Sequence, residues 1–164
     1  MCKIYSHYYF ISIATVVSGD IVDQQGLFIV DNLLKKSKTE KWGDKSYWLA
    51  PYMMDEAEFI LSLGEKLRVD GVELVNTRNG EARDRSIKDF MVFVGDNANG
   101  PWYHILNETL PDGRMEDDPM PIHSFGTLGL KGSYVKFQQL SYYGLGGGLN
   151  YFAAYSGVKS LQNT

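Results

Sequence analysis

Apolar residues recur along this chain in short runs of the kind that form β-strands. Phe90, Val92 and Val94 alternate with Met91 and Phe93, a period of two that places the first three on one face. Between 67 and 76, Leu67, Val69, Gly71, Glu73 and Val75 alternate with Arg68, Asp70, Val72, Leu74 and Asn76, but the middle of the run is apolar on both sides. A strand of that composition lies deep in a sandwich or beneath a covering loop. The same reading gives strands at 11–17, 58–63, 67–76, 89–96, 103–110, 122–130, 134–142 and 149–156, separated by Gly, Asn, Asp and Pro. Gly64 and Asn79-Gly80 read as turns. Helical periodicity is confined to 28–36, where Phe28, Val30, Leu33 and Leu34 face inward over a single turn. Many short strands at this spacing predict an all-β sandwich or barrel. No linker or repeat divides the chain, so one domain is expected over 1–164, with its core at about 11–156.

Composition narrows the partners. The aromatic content, 11 Tyr, 8 Phe and 3 Trp, suits strands. A net charge of −4 with scattered basic residues provides no stripe for nucleic acid. Cys2 is the single cysteine, so no internal disulfide or thiolate zinc site is available. His7, His104 and His123 follow no ligand spacing, and no cofactor is expected. No run reaches the ~18 apolar residues of a membrane span. Residues 8–17 read as a first strand, with a short signal-peptide core as the alternative. The sequon Asn107-Glu108-Thr109 falls on a predicted strand and is expected to be unused.

Four stretches form a distinctive series: Tyr47-Trp48-Leu49-Ala50-Pro51, Phe59-Ile60-Leu61-Ser62-Leu63-Gly64, Val72-Glu73-Leu74-Val75-Asn76-Thr77, and 84–92 from Asp84-Arg85 to Phe90-Met91-Val92. In this order they resemble the discoidin-like domains, also called coagulation-factor C-type domains, of the galactose-binding-like superfamily. Tyr134-Val135-Lys136-Phe137 followed by Tyr142-Tyr143-Gly144 is similar to the late strand and turn of that domain. The resemblance spans about 11–156. It implies an eight-stranded jelly-roll sandwich whose loops cluster at one end and there bind sugars, phospholipid head groups or protein surfaces, without catalysis. It further implies an extracellular or cell-surface setting, while the lack of a disulfide leaves the cytoplasm open. Many relatives hold calcium between an early loop and the last strand. Here Lys35 and Ala153 stand where the family has acids, with Asp31 and Asp44 nearby, so no calcium is expected.

The most polar loop, 76–89, supplies the candidate ligand groups Asn76, Arg78, Asn79, Arg83, Asp84 and Arg85. Sugar recognition needs a planar donor fork, amide or carboxylate acceptors and an aromatic face. The resemblance places Arg78 and Asp84 where bacterial sugar-binding relatives hold galactose with Arg and Asn, and makes Arg78 the principal donor. Leu49 falls where those relatives have a histidine, which puts galactose itself in question. The bland alternative is that Arg85 and Lys88 pair with Asp84 and Asp89 and pin the loop. Trp42, Tyr52, Trp102 and Tyr143 are the candidate platforms, with Trp48 and Trp102 assigned to the core. Met53-Met54 reads as exposed, and the loop 111–121 with Asp112, Glu116, Asp117 and Asp118 as a solvated connection. The Gly-Leu-Gly-Gly-Gly run at 144–148 joins two strands and lacks the helix that a phosphate loop requires. Two functions follow: a carbohydrate-recognition module, or an adaptor that grips a protein partner with the same loops. Asp117 with Asp118, or Glu56 with Glu58, as an acid–base pair ranks behind both, since no nucleophile–base set accompanies them.

Overall fold

The computed structural model describes residues 5–11, 14–22, 26–34 and 46–160. Within them the chain forms β1 (Tyr5–Phe10), β2 (Thr15–Gly19), a 3-10 turn (Val30–Leu34), β3 (Trp48–Leu49), β4 (Glu58–Arg68), β5 (Gly71–Asn76) and β6 (Arg85–Ile87). There follow β7 (Asp89–Gly95), β8 (Tyr103–Thr109), β9 (Ile122–Gly126), β10 (Lys131–Gln139), β11 (Tyr142–Gly144) and β12 (Gly148–Ser160). One sheet has the order β1-β12-β5-β9, with β3 pairing β12, and the other β2-β4-β10-β7-β8. The two pack face to face as the expected sandwich, and a short β6-β11 ribbon closes one end. No helix of the described residues is long and apolar enough to cross a membrane.

The inward faces follow from the period of two. Phe90, Val92 and Val94 of β7 are fully buried. Phe59, Phe137 and Phe90 line the same side of three neighbouring strands. Phe137 stacks on both others, at 5.0 Å from Phe59 and 5.4 Å from Phe90. From the facing sheet, Phe152 meets Phe59 edge-on at 5.3 Å, and Trp48 does so at 5.2 Å. Offset-stacked and edge-to-face contacts are the arrangements that aromatic quadrupoles favour. The Trp48 indole nitrogen donates to the Asp20 carbonyl at 2.6 Å, so its polar atom is satisfied inside the core.

Four expectations need correction. Gly64 makes no turn: with φ 78° it lies within β4, where an irregular register leaves Ser62 opposite Tyr134 but Leu67 opposite Gly132. The turn falls instead at Val69-Asp70, whose backbone bonds to Leu130 and Tyr155. The stretch 11–17 is not one strand, because β2 begins at Thr15. Trp102 lies outside the core, half-buried on the outer sheet face with the Lys136 ammonium 5.2 Å from its ring. Beyond the expected strands the structure adds β1, β3, β6 and β11.

Asp89 anchors the start of β7. Its carboxylate accepts from the Ser141 hydroxyl and, at 2.6 Å, from the Thr109 hydroxyl, and these bonds hold it below the usual carboxylate pKa. A carboxyl lowered on folding stabilises the protein above the ordinary carboxylate range, and that contribution is lost as pH falls through the folded value. Asp89→Asn is therefore expected to lower the denaturation midpoint at pH 7 and to reduce the further loss on acidification to pH 3. In the core, Phe137→Ala removes the central ring of the stack and is expected to cost ~3–5 kcal/mol in urea unfolding.

Candidate functional site

Asn76 ends β5 beneath the loop end of the sandwich and is 2% exposed. Its amide treats Ile87 as a neighbouring strand would: Nδ2 donates to the Ile87 carbonyl at 2.9 Å and Oδ1 accepts the Ile87 N–H at 3.0 Å. Oδ1 also takes the Thr77 N–H. Asn76, expected among the ligand groups, is a structural clamp whose two amide ends are both used and buried.

The loop after it folds onto 111–118. Asn79 and Arg83, both in left-handed backbone conformation, bracket a 3-10 turn, Gly80–Ala82. Asn79 accepts from the Tyr47 hydroxyl at 3.0 Å and donates to Asp84 at 2.8 Å. The side chain of Arg78 is 13% exposed and donates to the Glu116 carbonyl at 3.0 Å and to Asp118 at 2.5 Å. Arg83 reaches Asp117 at 2.6 Å and the Arg114 carbonyl at 3.0 Å. Arg114 forms a fork with Asp112. Asp112 and Asp117 are each held below the usual carboxylate pKa, chiefly by the bonds from Arg114 and Arg83 respectively. Arg78, expected as the principal donor to ligand, is mostly buried and ties two loops together, and the segment 111–118 is bound by arginines.

Arg85 behaves differently. It is 1% exposed and pairs with neither Asp84 nor Asp89. Its Nη1 donates to the Ala50 carbonyl at 2.9 Å, and its guanidinium carbon lies 3.9 Å from the centre of the Tyr52 ring. A Cβ added to Gly146 would stand 2.6 Å from Nη1, so glycine is what lets the backbone close over the guanidinium. The backbone then locks the two loops together: Met53 N–H bonds to Leu145, Ala50 to Gly147, Ser86 to Gly146 and Leu145 to Asp84. Gln139 holds the Met54 carbonyl at 2.7 Å from below.

Above Arg85, Tyr52 is 62% exposed and Met53 72%, with Met54 and Leu145 also exposed. The positive-φ non-glycine residues among those described, Met53, Glu56, Asn79 and Arg83, all fall in the two loops that meet here. Backbone strain of this kind collects at binding sites. Tyr143 sits farther along β11, its hydroxyl on the Leu110 carbonyl at 3.2 Å, so it serves the ribbon more than the surface. Trp42 lies outside the described residues, as do Lys35 and Asp44. Asp31 is exposed and Ala153 half-buried, and among the described residues no three His, Cys, Asp or Glu side chains gather.

The structure brings Tyr52, Asp84 and Leu145 together over the buried Arg85, while Arg83 turns to the segment 111–118. The role of Gly146 and Gly147 was missed from sequence. The signal was present in three consecutive glycines before a strand, which mark close backbone approach.

The two sheets, packed face to face with their loops gathered at one end, define an antiparallel β-sandwich. No protein-family model and no curated protein sequence matches the chain. Among solved structures, the C-terminal domain of a chitobiase from Bacteroides fragilis superposes with TM-score 0.69 at 11% identity, covering 94% of this chain and 99% of that one. Chitosan-binding module 1 of a chitosanase/glucanase from Paenibacillus sp. IK-5 gives 0.67 at 16%, covering 90% and 99%. The family 32 carbohydrate-binding module of Streptococcus pneumoniae EndoD gives 0.65 at 11%, also covering 90% and 99%. At these identities the likeness establishes the fold.

Arg78→Ala is expected to cost ~1–3 kcal/mol in urea unfolding, the range for a hydrogen bond from a charged group, because it unties 111–118 from 77–84. Asp117→Asn, at an exposed pair, is expected to leave the midpoint nearly unchanged.

Proposed function

We propose that the protein is a non-catalytic carbohydrate-recognition module whose site is the junction of loops 51–57, 77–84 and 144–147. One observation carries the reading: an exposed tyrosine ring stacks on a buried guanidinium, 3.9 Å from its central carbon. A sugar ring has an apolar face that packs on such a platform and hydroxyls that need fixed donors and acceptors at its edge. Tyr52 supplies the platform, Arg85 the donor, and Asp84 an acceptor beside it. Arg83 borders the site. The comparisons support the reading, since proteins described as carbohydrate-binding and chitosan-binding modules share the fold.

The absence of catalysis is part of the proposal. Asp117 and Asp118 are paired with Arg83 and Arg78, and Glu58 with Lys136 at 3.6 Å. Carboxylates so paired serve as counter-charges to the cations they meet.

A protein partner is the second reading. Exposed Met53, Met54 and Leu145 around Tyr52 favour it, because a contiguous apolar tip suits a protein surface as well as a sugar.

The test is a glycan microarray followed by titration of the best glycan. Tyr52→Ala is expected to weaken binding by at least about tenfold, or ~1.4 kcal/mol, while Tyr52→Trp retains it. The melting temperature of Tyr52→Ala should move little, since the ring is mostly exposed. Unchanged affinity in Tyr52→Ala would remove this platform from the site.

A further inference from the structure

Four arginines stand at the loop end, and three of them face an acid. Arg78 meets Asp118, Arg83 meets Asp117 and Arg114 meets Asp112. Arg85 is the most deeply buried of the four and has no carboxylate partner among the described residues. Its Nη1 bonds to the Ala50 carbonyl, Nε is buried without an acceptor, and Nη2 makes no hydrogen bond among the described residues. Nε–H and Nη2–H lie on the same edge of the guanidinium. That edge is the fork that accepts both oxygens of a carboxylate or two of a sulfate.

Burying a guanidinium is costly unless an opposite charge and acceptors compensate it. One carbonyl and one aromatic face compensate in part. If the side chain served only to hold Ala50, a neutral donor such as glutamine would do so with a smaller desolvation cost. The vacant edge therefore points to a charge supplied from outside the chain.

We propose that the site takes an anionic glycan, its carboxylate or sulfate seated on the Nε/Nη2 edge of Arg85 and its sugar ring on Tyr52. This rests on the carbohydrate reading above. The Tyr52 ring lies over the guanidinium and is itself 62% exposed, so an outward shift of residues 51–54 admits the acid. A net charge of −4 does not draw anions from a distance. Selectivity is carried by the contact itself.

The experiment is an array of glycans printed as matched pairs. Hexuronate oligomers and sialylated glycans stand beside their carboxyl-reduced forms, and sulfated glycans beside their desulfated forms. The unaltered protein is expected on the acidic members, with at least about tenfold loss on the neutral counterpart; the two kinds of pair separate carboxylate from sulfate. Titration of the best pair against Arg85→Gln should abolish the preference for the acidic member over its neutral counterpart. A melt of the variant checks the fold, and the matched pairs on the unaltered protein stand even if the variant does not fold. Equal binding to acidic and neutral members overturns the anionic assignment and leaves the carbohydrate reading intact. Retention on no glycan of either kind overturns both.

Discussion

The amide of Asn76 holds Ile87 by its N–H and its carbonyl together, and the loop end of the molecule is built on that pairing. Asn76 closes β5, a strand central to one sheet, whereas Ile87 belongs to the β6-β11 ribbon that neither main sheet includes. A side-chain amide therefore does the work of a backbone ladder where no strand can reach. Once Ile87 is fixed, its neighbours follow: Ser86 accepts the Gly113 N–H on its hydroxyl, and Arg85 enters beneath Ala50. The ribbon partner Tyr142–Gly144 then leads into the glycines that close over the guanidinium. The exposed surface of Tyr52 is the outer layer of this series.

The sandwich was legible because its signal is local. Alternation marked β7 with no knowledge of its neighbours, and Trp48 followed from its place beside strands. The failures have physical causes of another kind. Gly64 looked like a turn because positive φ suits turns, yet a bulge in a long strand needs the same conformation. The three residues of β6 carry no periodicity, since they are held by Asn76 and by β11 rather than by an alternating face. Trp102 differs from Trp48 only in which side of the sheet it occupies, and a register cannot be read from one residue.

The candidate site was legible as a region and not as a set of roles. Sequence separates neither Arg78 from Arg85 nor Asn76 from Asn79. What distinguishes them is the segment 111–118, whose acids arrive some forty residues later and take Arg78 and Arg83 as partners. Of the arginines expected among the ligand groups, Arg78 is tied to Asp118 and the Glu116 carbonyl, whereas Arg85 meets no carboxylate among the described residues. Adjacent acids that could pass for a catalytic pair are, for the same reason, structural counter-charges.

We propose that ligand enters at the junction over Arg85. Nuclear magnetic resonance tests it most directly, by following backbone amides and the Arg85 Nε–H as the best-binding glycan is added. Shifts are expected at Tyr52, Met53, Asp84 and residues 144–147, together with a changed Arg85 Nε–H signal. Shifts gathered instead on the outer sheet face around Phe93, Trp102 and Lys136, with the Arg85 signal unmoved, would contradict it.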